Sequence, residues 1–259
     1  MRITRSIVPN MLTLANLFCG FSSIIYFSNQ QFTRGAVFIL LAAIFDMLDG
    51  MMARLIKSAS EFGVELDSLC DAVSFGVAPS FLLYTVYFRQ FGDSGILLAS
   101  LPALAGVSRL ARFNVQLQSL EDKKYFKGMP IPAGALMILS YVIFYHLKPG
   151  LMADEIKSWM IVAVTIITSL IMISKIKHDN LPRPSWTAFK QRPLFFIAFF
   201  IALIAAIVSK GDAIFPIMII YSVTSSIRHF IEWLRLRRLP EDDFTDSEVL
   251  DIQDEAFEE

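Results

Sequence analysis

The chain has 259 residues, of which 55% are hydrophobic and 18% charged, and a formal net charge of −1. Its apolar residues fall in long runs rather than in the alternating or heptad patterns of water-soluble domains, so an ordinary soluble globule is excluded and a polytopic membrane protein is indicated. The near-neutral charge hides a division: the segment from Glu241 onward holds 10 of the 24 acidic residues and no base, so the remainder carries 23 − 14 = +9. That surplus suits anionic headgroups or phosphorylated substrates, and no nucleic-acid partner is expected. The division predicts a membrane domain over 1–239 and an acidic, solvated tail over 240–259.

Apolar stretches of roughly 18 to 22 residues predict an all-α fold of about eight membrane helices, near 8–28, 34–54, 67–88, 95–114, 130–147, 157–174, 193–209 and 212–234. The side that holds both termini and the connections after the second, fourth and sixth spans carries 18 of the 23 Lys and Arg residues. Basic residues are retained on the cytoplasmic side, so both termini are predicted to be cytoplasmic and the protein to sit in the cytoplasmic (inner) membrane.

Arg2 and Arg5 precede the first apolar run, as in a signal peptide. Asn10 and Asn16 inside the run, and Phe18 where a small residue would precede a lipidated Cys19, predict a retained helix instead. Cys19 and Cys70, the only cysteines, have no metal or redox spacing and read as packing residues.

The second span ends and the third begins with DMLDGMMARLIKSASEFGVELDSLCD. On a helix, Asp46, Asp49, Gly50, Ala53 and Arg54 form one stripe, and Gly63, Asp67 and Asp71 form another on the next helix. The short polar turn LIKSASEFG makes the two helices antiparallel neighbours, so the stripes face each other at the predicted cytoplasmic edge. Four ionised carboxylates there repel unless they hold protons or cations. Oxygen-only ligands without nearby His or Cys select hard ions, Mg²⁺, Mn²⁺ or Ca²⁺. Two such ions would neutralise a pyrophosphate, and a partly free aspartate would take a proton from an attacking hydroxyl. Gly50 and Ala53 leave room for a large ligand against the backbone, and Arg54 can grip phosphate oxygens.

These residues match the pattern D-x2-D-G-x2-A-R-x8-G-x3-D-x3-D at every fixed position, and the chain thereby resembles the CDP-alcohol phosphotransferase family. The resemblance implies that Asp46, Asp49 and Asp67 ligate metal, that Asp71 acts as base and also touches metal, and that Gly50 and Arg54 contact the nucleotide diphosphate. By position, Ala53, Ser60 and Gly63 join that contact. Asn10, Thr13 and Asn16, three apart on the first span, either bond the cytidine or pyrophosphate or serve as cap and interhelical bonds.

The segments PNMLTLANLFCG, ELDSLCDAVSFGVAPSFLLY, RLARFNVQ and YFKGMPIPAG are similar to the membrane-type phosphatidylserine synthases within that family. This implies a homodimeric enzyme that takes CDP-diacylglycerol and L-serine and yields phosphatidylserine and CMP. On the fourth span Arg109 and Arg112 share a face and would pair with the serine carboxylate, with Asn114 or Ser74 orienting its amine; both arginines also fit as topology anchors. Another acceptor alcohol, glycerol 3-phosphate or inositol phosphate, would use the same cations, and a cation-coupled transporter is the remaining alternative. Pro130 and Pro132 predict the start of the fifth helix, and Phe81, Tyr84 and Phe88 read as packing. The connection over 175–192, with Pro182 and Pro184, predicts irregular chain. His146-Leu147-Lys148 is a single copy of a His-x-Lys pattern with Ala153 where an aspartate is wanted, and carries no chemistry.

Overall fold

A computed structural model describes residues 3–56, 60–118, 126–178 and 193–236. The acidic tail and most of the proline-rich connection lie outside these residues. Helix α1 (Ile3–Ser28) turns at Asn29–Gln31 into α2 (Phe32–Ile56). The turn is closed by Gln31 N–H to Tyr26 O (2.9 Å), with Gln30 in the left-handed region at φ 59°. After the 57–59 segment comes α3 (Glu61–Asp71), which passes through a π-helical turn (Ala72–Val77) into α4 (Ala78–Val86). A 3₁₀ turn (Phe88–Phe91) leads to α5 (Gly92–Gln118). Then follow α6 (Ile131–Tyr141), extended by a second π turn (Val142–His146), and α7 (Asp154–Ile173). The last two are α8 (Pro193–Val208) and α9 (Ile214–Leu236). One antiparallel ribbon joins β1 (Phe126–Lys127) to β2 (Lys177–His178), with Phe126 opposite His178.

Among the described residues, six helices are long and apolar enough to cross a membrane: Ile7–Ser28, Phe32–Ala53, Glu61–Val86, Phe88–Val115, Asp154–Ile173 and Ile214–Arg235. The segments expected as fifth and seventh spans form shorter helices, Ile131–His146 and Pro193–Val208. The third span begins at Glu61 rather than near 67, because Ser60 caps it: its Oγ accepts the Gly63 N–H at 3.1 Å, and Glu61 sits in the first turn. Pro130 precedes the first residue of α6, as expected.

Polar and apolar residues are distributed in the manner of a membrane protein. Phe18, Phe21, Met47, Trp159 and Ile204 are exposed, while Asn16, Ser74, Thr165, Thr168, Ser222 and Ser225 are buried. Hydrocarbon solvates the first set, and the second set is kept where helices meet. The Oγ atoms of Thr165 and Ser169 return to helix carbonyls four residues back, at 2.7 Å each, which satisfies them without water. Where Pro102 interrupts α5, the next free N–H, that of Ala103, donates to Ser80 Oγ at 3.1 Å. The core centres on α6, where Ile131, Ala135 and the run Met137–Val142 are buried, and Phe88 is buried in the same cluster. Phe81 and Tyr84 pack against this core, and Cys19 and Cys70 are free and buried.

Two glycines allow close approaches between distant segments. Gly128 (φ 84°) lets the chain turn beside the ribbon, donating to Ile176 O at 2.9 Å; a Cβ there would collide with Met172 O. Gly20 brings α1 onto the π turn, and a Cβ would sit 2.7 Å from the Ser74 Cα. Since that neighbour is backbone, Gly20→Ala is expected to force α1 away and lower stability by about 1–3 kcal/mol, read as a drop in thermal midpoint in detergent. An unchanged midpoint would contradict this packing.

Candidate active site

The antiparallel approach of α2 and α3 brings one carboxylate oxygen each from Asp46, Asp49 and Asp67 within 4.8 Å of one another. Asp49 is buried, and Asp46 and Asp67 are half-buried. Oδ2 of Asp49 and Oδ1 of Asp67 are withdrawn from solvent and have no hydrogen-bond partner. Buried carboxylate oxygens without donors are costly, and three such groups at this range repel one another, so the arrangement calls for a cation. An all-oxygen donor set fits a hard divalent ion.

Asp71 lies one turn beyond Asp67, buried, outside that close group. Asn16 of α1 donates to its Oδ1 at 3.0 Å, and the Asn16 carbonyl accepts the Ser74 hydroxyl at 3.1 Å. The π turn at Ala72–Val77 starts at the residue after Asp71 and directs Ser74 toward α1. π turns of this kind recur at functional positions. The sequence offers Asn16 as a polar residue on the first span, but only the packing of α1 against α3 makes it the partner of Asp71.

The remaining site residues expected from sequence divide into three groups. Near the carboxylates, Gly50 and Ala53 are half-buried on the α2 stripe, and Thr13 lies beside Asp49 while its hydroxyl donates to Pro9 O at 3.0 Å. The side chain of Arg54 lies outside the described residues. At the start of α3, Ser60 is the N-cap, and Asn10 Oδ1 lies 3.7 Å from where a Cβ on Gly63 would be. A Cβ at Gly63 would crowd its own cap, Ser60 Oγ at 3.2 Å, and would only touch Asn10.

On α5, Arg109 and Arg112 part company. Arg109 is half-buried, within electrostatic reach of Asp71 and of Tyr221 on α9, and its Nε is withdrawn without a partner. Arg112 is exposed and donates from Nη2 to Ile173 O at 2.9 Å, capping the end of α7. Asn114 bridges to α3: its Nδ2 donates to Ser68 Oγ (3.0 Å) and Glu65 Oε2 (3.3 Å). Ser74 is fully buried with its hydroxyl given to Asn16. Of the four residues expected at an acceptor, Arg109 is the cation within electrostatic reach of Asp71. Glu65, Ser68 and Tyr221 carry no signal in sequence that links them to this place, since each depends on a contact between distant segments.

His146 lies at the other end of the α3–α4 run, against the rings of Tyr87 (5.8 Å) and Tyr141 (6.0 Å). It has no part in the carboxylate site.

Residues 6–171 match the family model described as CDP-alcohol phosphatidyltransferase. The chain is 33% identical over 231 residues to the CDP-diacylglycerol–serine O-phosphatidyltransferase of Helicobacter pylori, covering 88% of this chain and 91% of that protein. It is 32% identical to the Methanocaldococcus jannaschii protein of the same name, over 86% of this chain and 94% of the other. To the archaetidylserine synthase of Methanothermobacter thermautotrophicus it is 34% identical, over 67% and 70%. Because the matched span runs from α1 into α7 and contains all four aspartates, the chain belongs to the CDP-alcohol phosphatidyltransferase family.

Proposed function

We propose that the protein transfers the phosphatidyl group of CDP-diacylglycerol to the hydroxyl of L-serine, giving phosphatidylserine and CMP. The observation that carries this reading is the convergence of Asp46, Asp49 and Asp67 with Asp71 one turn away, joined by relatives whose names specify serine as acceptor.

Asp46, Asp49 and Asp67, with Asp71 at the edge, would hold two divalent cations, Mg²⁺ or Mn²⁺, with Ca²⁺ also compatible with the oxygen set. Bound there, the ions would neutralise the pyrophosphate and polarise its phosphorus. Gly50, Ala53, Arg54, Ser60, Gly63, Asn10 and Thr13 form the surface along which CDP-diacylglycerol lies. Asp71 accepts the serine hydroxyl proton as the oxygen attacks the β-phosphorus and CMP departs. Asn16, by donating to one Asp71 oxygen, fixes the carboxylate so that the other faces the acceptor. Ser74 gives its proton to the Asn16 carbonyl, Ser68 bonds Asn114 and Ser60 caps α3, so none of these hydroxyls is paired with a base and transfer is a single direct displacement. Arg109 pairs with the serine carboxylate, with Arg112, Asn114 and Ser74 framing that side of the site.

Given CDP-diacylglycerol and Mg²⁺ or Mn²⁺, membranes containing the protein are expected to release CMP on addition of L-serine and not of glycerol 3-phosphate, inositol phosphate or choline. Release driven by glycerol 3-phosphate alone would keep the family and remove the serine assignment. Binding of CDP-diacylglycerol without CMP release for any alcohol would favour a transporter.

The orientation that suits cytosolic serine places the site and both termini on the cytoplasmic side of the inner membrane, and the protein acts as a homodimer. Ala59→Cys is then expected to be shielded from a membrane-impermeant thiol reagent in intact cells, and Met152→Cys to react. Labelling of the first and not the second would reverse the orientation.

A further inference from the structure

Asp67 brings an oxygen to the carboxylate group, yet its Oδ1 has no hydrogen-bond partner, so no bond at that atom aims it. Its place is inherited from the rotation of α3 about its own axis. The π turn that follows α3 interrupts regular helix, so α4 does not carry its own rotation straight into α3. Side chains from other helices meet α3 instead. At its end, Asn16 of α1 donates to Asp71. On another face, Asn114 of α5 holds Glu65 and Ser68 together: its Nδ2 donates to Glu65 Oε2 (3.3 Å) and to Ser68 Oγ (3.0 Å), and the Ser68 hydroxyl donates to Asn114 Oδ1 (3.2 Å). Both amide hydrogens and the amide oxygen are thereby engaged within the protein. Two residues earlier, Arg112 ties α5 to the end of α7 through Ile173 O at 2.9 Å, which anchors the bracket.

At about 100° per residue, Glu65 and Ser68 lie roughly 100° round α3 from Asp67 and Asp71. Turning α3 by about 20° would carry a carboxylate at the helix surface by about 2 Å, whereas metal–ligand distances hold to about 0.2 Å. We infer that Asn114 is a positioning residue for the metal centre: by bonding Glu65 and Ser68 it sets the rotation of α3, and so the place of Asp67 among the oxygen ligands of a divalent cation. This rests on the reading of the carboxylates as a cation site for phosphatidyl transfer. It gives Asn114, whose polar atoms are already engaged, a part other than orienting the amine of serine.

The test is the binding of Mn²⁺ alone to purified protein, without lipid substrate or serine, read from the electron paramagnetic resonance signal of the free ion. Asn114→Asp loses both donors and sets a carboxylate against Glu65, and Mn²⁺ should bind about tenfold more weakly. An added negative charge would by itself draw the cation, so weaker binding reports position rather than charge. Glu65→Gln joined to Asn114→Asp restores the bond with donor and acceptor exchanged at the same total charge, and should return the affinity to within about threefold of wild type. Ser68→Ala should weaken Mn²⁺ about threefold and leave the KM for L-serine, at saturating Mn²⁺, within about twofold. Unchanged Mn²⁺ affinity in Asn114→Asp would overturn the inference, whether or not its serine KM rises. So would an affinity equally low in the exchanged double variant, as in a general loss of packing. Wild type that binds no Mn²⁺ would remove the metal centre and the inference with it. Wild type that binds Mn²⁺ yet releases no CMP with serine would instead remove the assigned reaction, and the variants would still decide the part of Asn114.

Discussion

Asp46→Asn, Asp49→Asn and Asp67→Asn are each expected to lower serine-dependent CMP release by about a thousandfold, with no loss of fold. The substitution keeps the side-chain shape and removes one anionic ligand from a group whose oxygens lie within 4.8 Å of one another. It also removes a source of repulsion. The thermal midpoint of the metal-free variants should therefore equal or exceed that of the metal-free wild type, as expected where a site holds like charges together for function. Chelation should silence the wild type, and added Mg²⁺ or Mn²⁺ should restore it. A variant that retains activity, or one that loses activity only because it unfolds, would contradict the assignment of these carboxylates to a metal.

Asp71→Asn is expected to separate binding from turnover. The amide no longer takes a proton, so CMP release should fall by about a hundredfold to ten-thousandfold while binding of CDP-diacylglycerol, proposed above for other residues of α1, α2 and α3, persists. Asn16→Ala provides the comparison. It leaves the carboxylate and removes the bond to Oδ1, so its cost should be about tenfold, and it should fall on turnover rather than on the affinity for CDP-diacylglycerol. If Asn16→Ala proved as damaging as Asp71→Asn, Asn16 would have to touch substrate itself. If Asp71→Asn stayed active, the base would lie elsewhere.

The part of the site that was legible in sequence is the part carried by two adjacent helices. Asp46, Asp49 and Gly50 share a face by helical periodicity alone, and the short turn to Gly63, Asp67 and Asp71 leaves few ways to arrange them. The membrane helices were legible for a similar reason, since length and apolarity are local properties. What the chain did not disclose depends on contacts between distant segments. The π turn after Asp71 adds no compositional mark, yet it directs Ser74 to α1. Asn16 fits a cap, an interhelical bond or a ligand contact until α1 is laid against α3. Arg109 and Arg112 look equivalent by spacing, but burial divides them: one is half-buried within electrostatic reach of Asp71, and the other is exposed and closes the end of α7. Hydropathy places the third span near 67 because the first turn of α3 is polar, whereas the Ser60 cap and Glu61 begin the helix there. The acidic tail and the Pro182–Pro184 segment lie outside the described residues.

The measurement that tests the central claim most directly uses purified protein, CDP-diacylglycerol, Mg²⁺ and L-serine labelled with ¹⁸O in its hydroxyl. The account predicts one CMP for each phosphatidylserine, with the label retained in the oxygen that bridges serine to phosphorus. CMP formed without serine, or a lipid product lacking the label, would contradict it.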